Sequence, residues 1–230
     1  NIEEVINPEN SISPCDLQSY FNEGQLPKFY WLLNESLLQG GNVDEILNTA
    51  LSLANNAGKN NQWNKTEKIY QIVLSFFPRE PRYNSSYAAI KIKQQKLIEA
   101  QTLLEVAAKS DPNDPLILNN LFLLHVLNGD YAKAIELNKV QIELEPDFST
   151  NHMRRAILNQ LFGTPDPANW EHYFQTLTHN DQQQYWKQFY ETLQHVGEAK
   201  QYSETVTQYA NQWIDSRLVY EALMLLDYAA

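Results

Sequence analysis

The side chains able to do chemistry are scattered rather than gathered. Five histidines stand at His125, His152, His172, His179 and His195. His172 and His179 are nearly two helical turns apart and can share a face, but no further metal ligands accompany them. Hydrogen bonding at the surface or between helices accounts for all five. The single cysteine, Cys15, has no visible base partner that would make it a nucleophile. Carboxylate pairs such as Glu143 with Glu145, or Asp111 with Asp114, fall at helix ends and turns, where capping and solvation explain them better than glycosidase-like acid and base roles. His-Glu-x-x-His, Gly-x-x-x-x-Gly-Lys, Gly-x-Ser-x-Gly and Gly-x-Gly-x-x-Gly are all missing. The expectation is a chain with no catalytic residues, no metal and no cofactor.

Bulk properties narrow the partners. With 28 acidic against 17 basic side chains the formal charge is −11, which repels phosphate backbones and anionic headgroups. Lys91, Lys93 and Lys96 are the nearest approach to a basic patch, and at this spacing they read as a solvated helix face. No apolar run reaches the roughly 20 residues of a membrane span. One cysteine rules out an internal disulfide and a Cys-based zinc site, and favours a reducing, cytoplasmic setting. The sequence opens at Asn1 rather than Met, which leaves export open. The 230 residues are 43% hydrophobic and 12% aromatic, as in a folded protein, and hold only 7 Gly and 10 Pro, too few turn residues for an all-β chain.

The prolines set the organisation. Pro78, Pro112 and Pro146 succeed one another at 34-residue intervals, each closing an amphipathic run. Such a period marks a helix-turn-helix unit stacked on copies of itself. Twelve residues before each proline lie Thr66, Ala100 and Ala134, small enough for two helices to cross closely. Eight before are Tyr70, Leu104 and Asn138; five before are Val73, Ala107 and Gln141; twenty-four before are Ala54, Ala88 and Phe122. Asn138, Gln141 and Phe122 depart from the pattern and suggest an altered helix contact in the third unit. The clearest unit runs from Leu118 through Asn128-Gly129-Asp130-Tyr131 to Leu144-Glu145-Pro146. There Gly129 supplies a left-handed cap, Asp130 opens the second helix, and the proline stops it.

These residues resemble the tetratricopeptide repeat family over about residues 47–148. The resemblance implies an all-α fold, an α-solenoid in which antiparallel helix pairs wind into a right-handed superhelix, with divergent helices at both ends. Residues 1–12 read as a flexible lead-in and 13–230 as one domain. Within it, 13–46 form N-terminal capping helices, opened by Ser13-Pro14 and broken at Gly40-Gly41. Three repeats fill 47–148, and divergent pairs with a C-terminal capping helix fill 149–230. Trp170, Tyr173, Phe174, Trp186, Phe189 and Tyr190 fall on the buried stripes of those later helices. The apolar run Leu218 to Leu226 tucks in as a cap or awaits a neighbour, which allows self-association through the terminal helices.

In the family the first helix of each pair lines a concave surface that receives another protein or peptide. Carried over, that surface comprises Asn48, Leu51, Ser52 and Asn55, then Arg82, Ser85, Ser86 and Ala89. Leu116, Asn119, Asn120 and Leu123 come next, and a weaker fourth repeat adds Thr150, Met153, Arg154 and Ile157. The candidate groove residues are Asn55, Arg82, Ser86, Asn119, Asn120, Leu123, Met153 and Arg154. Amides among them can bond a peptide backbone, and the arginines can fork onto a carboxylate. Repeats that grip the acidic tail of heat-shock chaperones use two Asn and three basic residues. The matching positions here read Leu51, Asn55, Ser86, Leu116 and Asn120, or one repeat on Ser85, Ala89, Asn120, Thr150 and Arg154, so no such clamp is expected. The functional expectation is a protein-protein interaction scaffold. The alternative is a docking or substrate-presenting part of a larger enzyme, such as a glycosyltransferase, with its catalytic part elsewhere.

Overall fold

A computed structural model describes residues 26–39 and 43–162, together with Ser19, Asp166, Ala168, Asn169 and Glu204 as isolated positions. The described residues form eight helices and no strand: α1 (Leu26–Gln39), α2 (Val43–Lys59), α3 (Trp63–Phe76), α4 (Pro81–Lys93), α5 (Leu97–Ser110), α6 (Pro115–Leu127), α7 (Tyr131–Leu144) and α8 (Ser149–Phe162). The helices follow one another as the pairs α2/α3, α4/α5 and α6/α7, the first opening at Val43. The lead-in, Cys15, the Gly40-Gly41 break, His172, His179, His195 and the aromatic helices beyond residue 169 lie outside the described residues.

Each repeat is turned by the same local device. Asn61, Gln95 and Gly129 have φ of 58°, 60° and 73°, at the period of the prolines. The N–H of each bonds back to the carbonyl of Gly58, Ile92 or Val126. The next N–H, of Gln62, Lys96 or Asp130, reaches the carbonyl of Ala57, Lys91 or His125. This pair of bonds is the Schellman closure, which satisfies the last carbonyls of the first helix and reverses the chain. Gly129 is the case the sequence makes readable; Asn61 and Gln95 adopt the same conformation at a steric cost.

The second helices stop two residues short of the prolines, at Phe76, Ser110 and Leu144. Phe77, Asp111 and Glu145, just before each proline, have ψ of 61°, 84° and 71°. The cause is therefore the steric exclusion of the α region before proline, ahead of the missing proline N–H. The next first helices open on Pro81 and Pro115, whose fixed φ suits a first helical position. Asp114 caps α6 by accepting from the Ile117 N–H at 2.9 Å.

The small residues do what the period asks of them. Thr66, Ala100 and Ala134 are all fully buried at the helix crossings, and the Thr66 hydroxyl donates to the Ala54 carbonyl at 3.1 Å. One apolar cluster joins α1 to α4 through Phe29, Leu33, Leu47, Ile69, Tyr70 and Tyr87. A second joins α4, α5 and α6 through Ala88, Leu104, Ala107, Ile117 and Leu124. Burying such faces between neighbours is what makes each pair stable only in the stack.

Candidate functional site

The first helices follow one another along one side: α4 packs on α6, and Gly58 of α2 faces Ile90 of α4. Along this row Asn48, Ser52, Asn55 and Arg82 are exposed or half-buried, as are Ser86 and Ala89, and Leu116 is 50% exposed. Three expected groove residues gather at one place. Tyr70 of α3 stacks on Tyr87 of α4, ring centroids 5.0 Å apart, and passes its hydroxyl between the two first helices. That hydroxyl donates to Asn55 Oδ1 at 3.0 Å and also meets the Ser86 side chain. Burial pushes the Tyr70 phenol up to about 12, against the opposing pull of Ser86 and the Arg82 charge. It therefore stays a neutral donor, and Asn55, Ser86 and Arg82 surround it with donors and acceptors at the surface.

Sequence reasoning misses Tyr70 as a site residue. Its signal lies in the repeat itself: where the second repeat has Leu104, the first has a ring carrying a hydroxyl.

The other five expected groove residues are placed differently. Asn119, Asn120, Leu123, Met153 and Arg154 are buried, so the row is open at α2 and α4 and closed around α6 and α8. Their polar groups bridge successive first helices. Asn120 Nδ2 donates to the Ser85 carbonyl at 3.2 Å and to its hydroxyl oxygen at 3.0 Å. Arg154, 1% exposed, donates to Asn119 Oδ1 at 2.8 Å and lies over the Phe122 ring at 4.7 Å. Phe122, the oversized residue at a small-residue position, thus serves as the platform for a cation.

No protein-family model matches the chain, and no curated protein does either. Solved structures do. PilF of Pseudomonas aeruginosa superposes with a TM-score of 0.54 at 15% identity, over 89% of this chain and 96% of its own. A MamA double mutant (RS-1 ArsTM) does so with a TM-score of 0.50 at 14% identity, over 66% of this chain and 94% of its own. Both are tetratricopeptide-repeat proteins. The fold is a tetratricopeptide-repeat solenoid.

In this solenoid Lys93 and Lys96 are exposed, as their spacing suggests, but Lys91 does not share that solvated face. Lys91 is 3% exposed and pairs with Glu67 at 2.9 Å and Glu99 at 2.7 Å, its ammonium 4.8 Å from the Tyr87 ring centre. Lys96 shares Glu67 at 2.9 Å. Helical spacing alone leaves Lys91 open to solvent, but the adjoining α3 and α5 cover it. Burial raises the Glu67 carboxyl, yet hydrogen bonds from Lys96, Lys91 and Gln94 outweigh it and hold the group down at about 2. Burial lowers the Lys91 amine, and Glu99 and Glu67 more than reverse that. The cluster ties α3, α4 and α5 together.

The described histidines have structural partners in the repeats. His152 Nε2 lies 2.6 Å from the Pro146 carbonyl. His125 is held below its ordinary pKa by burial, only partly countered by Asp130 at 3.6 Å. Among the described residues no group of His, Cys, Asp or Glu could hold a metal ion, and no helix is long and apolar enough to cross a membrane.

Proposed function

We propose that this chain is a protein-interaction scaffold that holds an extended segment of a partner protein along the open row formed by α2 and α4, without any catalytic step. The observation carrying the reading is the constellation of Asn55, Tyr70, Ser86 and Arg82. A neutral hydroxyl fixes Asn55 beside Ser86, while the Arg82 charge stands close to them. An amide and a hydroxyl held this way offer paired donors and acceptors to a peptide backbone, and the guanidinium offers a fork for one carboxylate. The net charge of −11 supports a protein over a nucleic acid as the occupant.

The test is site-directed photocrosslinking in the native extract. A photoreactive residue at position 86 should yield a discrete protein adduct that disappears when Asn55→Ala and Arg82→Ala are combined. The same residue at position 102, exposed on α5, should yield none. An adduct that survives the double substitution, or forms equally at both positions, would refute the reading.

A further inference from the structure

Large apolar side chains reach the surface singly on most of the described helices, but not on α1. Among the described residues Ile98, Leu116 and Leu144 stand alone on α5, α6 and α7, whereas α1 exposes four: Tyr30, Trp31, Leu37 and Leu38. Its Phe29, Leu32 and Leu33 are already buried in the core, so the four make a second apolar face. A helix apolar on two sides needs cover on both, and a contiguous exposed patch marks an interaction surface.

The four are arranged about one residue. At 3.6 residues per turn Asn34 lies at the middle of their stripe, each of them within about 60° of it. Asn34 is also the midpoint of the run: Tyr30 and Trp31 precede it by the same steps by which Leu38 and Leu37 follow it. The pattern therefore reads alike from either end, an apolar pair, an amide and an apolar pair. Asn34 is half-buried, and its side chain makes no hydrogen bond among the described residues.

A face with this symmetry fits a copy of itself. Turned end for end about Asn34, one α1 lays Tyr30 and Trp31 on the Leu37 and Leu38 of another, and the reverse contact repeats it, as an isologous two-fold interface requires. The two Asn34 amides then meet at the axis, where each offers the other a donor and an acceptor. Charge is complementary as well. The stripe carries none, so two chains of net charge −11 can approach there. Lys28 and Glu35 flank the stripe on the same side, and antiparallel pairing puts Lys28 of either copy on the side of Glu35 of the other. A groove of about 520 Å³ between α1 and α3, walled by Leu26, Tyr30 and Ile72, borders the stripe and widens the surface a second copy can cover.

We propose that α1 is a self-association face, on which a second copy of this chain packs its own α1 antiparallel with Asn34 on the two-fold axis. The pairing does not depend on what the open row of α2 and α4 binds.

Sedimentation equilibrium of the whole chain tests it. The expected result is a monomer–dimer equilibrium with a Kd on the order of 10–100 µM, because one pair of helices buries less than about 1,200 Å². Leu38→Glu alters a side chain that is 74% exposed and outside the core, and it should weaken the dimer by about 10-fold or more. With Cys15→Ser as background, Asn34→Cys should give a disulfide-linked dimer in oxidised glutathione, since facing Cα atoms of packed helices come within about 4–7 Å. Thr102→Cys, exposed on α5, should not. A wild-type chain that stays monomeric up to about 1 mM would overturn the proposal without any variant. So would a dimer indifferent to Leu38→Glu, or one that links no better through position 34 than through position 102.

Discussion

Glu67→Gln isolates the charge on which two lysines converge. In the folded chain the Glu67 carboxyl sits at about 2 against an ordinary 4.5, with the side chain 20% exposed. A displacement of that size corresponds to about 3 kcal/mol of folding stability at neutral pH. The raised Lys91 amine describes the same attraction from the other side and is not added. Because the folded pKa is depressed, the contribution is complete above the unfolded value near 4.5 and drains away as pH falls towards 2. Glutamine keeps the shape and removes the charge, leaving Lys91 with Glu99 alone. Urea unfolding at pH 7 should show the variant less stable by about 2–3 kcal/mol, and the gap should fall to less than half by pH 3. A gap that stays constant between pH 7 and pH 3 would mean that the carboxylate charge is not what stabilises this junction.

The repeated left-handed residues give a graded series. Gln95→Gly should stabilise by about 0.5 kcal/mol, because relief of the left-handed strain slightly exceeds the entropy that glycine adds to the unfolded chain. Gly129→Ala should cost about 1 kcal/mol, since its φ of 73° is one that a Cβ resists. Denaturant midpoints of the two variants decide both signs, and a destabilising Gln95→Gly would contradict the account. Tyr70→Phe should lose about 1 kcal/mol in the same assay by removing the hydroxyl from Asn55 and Ser86, while keeping the stack on Tyr87. Near-UV circular dichroism should show the aromatic environment retained.

The architecture is legible because a repeat tests itself. Pro78, Pro112 and Pro146 announce the period, and Thr66, Ala100 and Ala134 supply the crossings. The small-residue rule also exposes its own exceptions, since Phe122, Asn138 and Gln141 stand out on spacing alone. All three are buried, Phe122 beneath Arg154 and Asn138 against Asn151. What spacing cannot supply is the depth at which a polar side chain lies. Lys91 belongs to a run of lysines, and only the packing of the preceding and following helices, α3 and α5, buries it. Asn120 and Arg154 occupy family groove positions, yet partners 35 residues away draw them inward. Tyr70 hides for the opposite reason, because its ring satisfies the apolar pattern so well that its hydroxyl draws no notice.

The three Schellman corners carry a consequence for how such an array can grow. Each corner is closed by main-chain bonds alone, at an identical interval, so the corner after α4 receives its next helix much as the corner after α2 does. Copying the segment 62–95 in tandem would present every new helix end with its bonding partners already in place. An added unit therefore needs no invented joint, only side faces that fit. The length of the rod is free to change by whole repeats, while its chemistry is confined to the side chains where neighbouring helices meet.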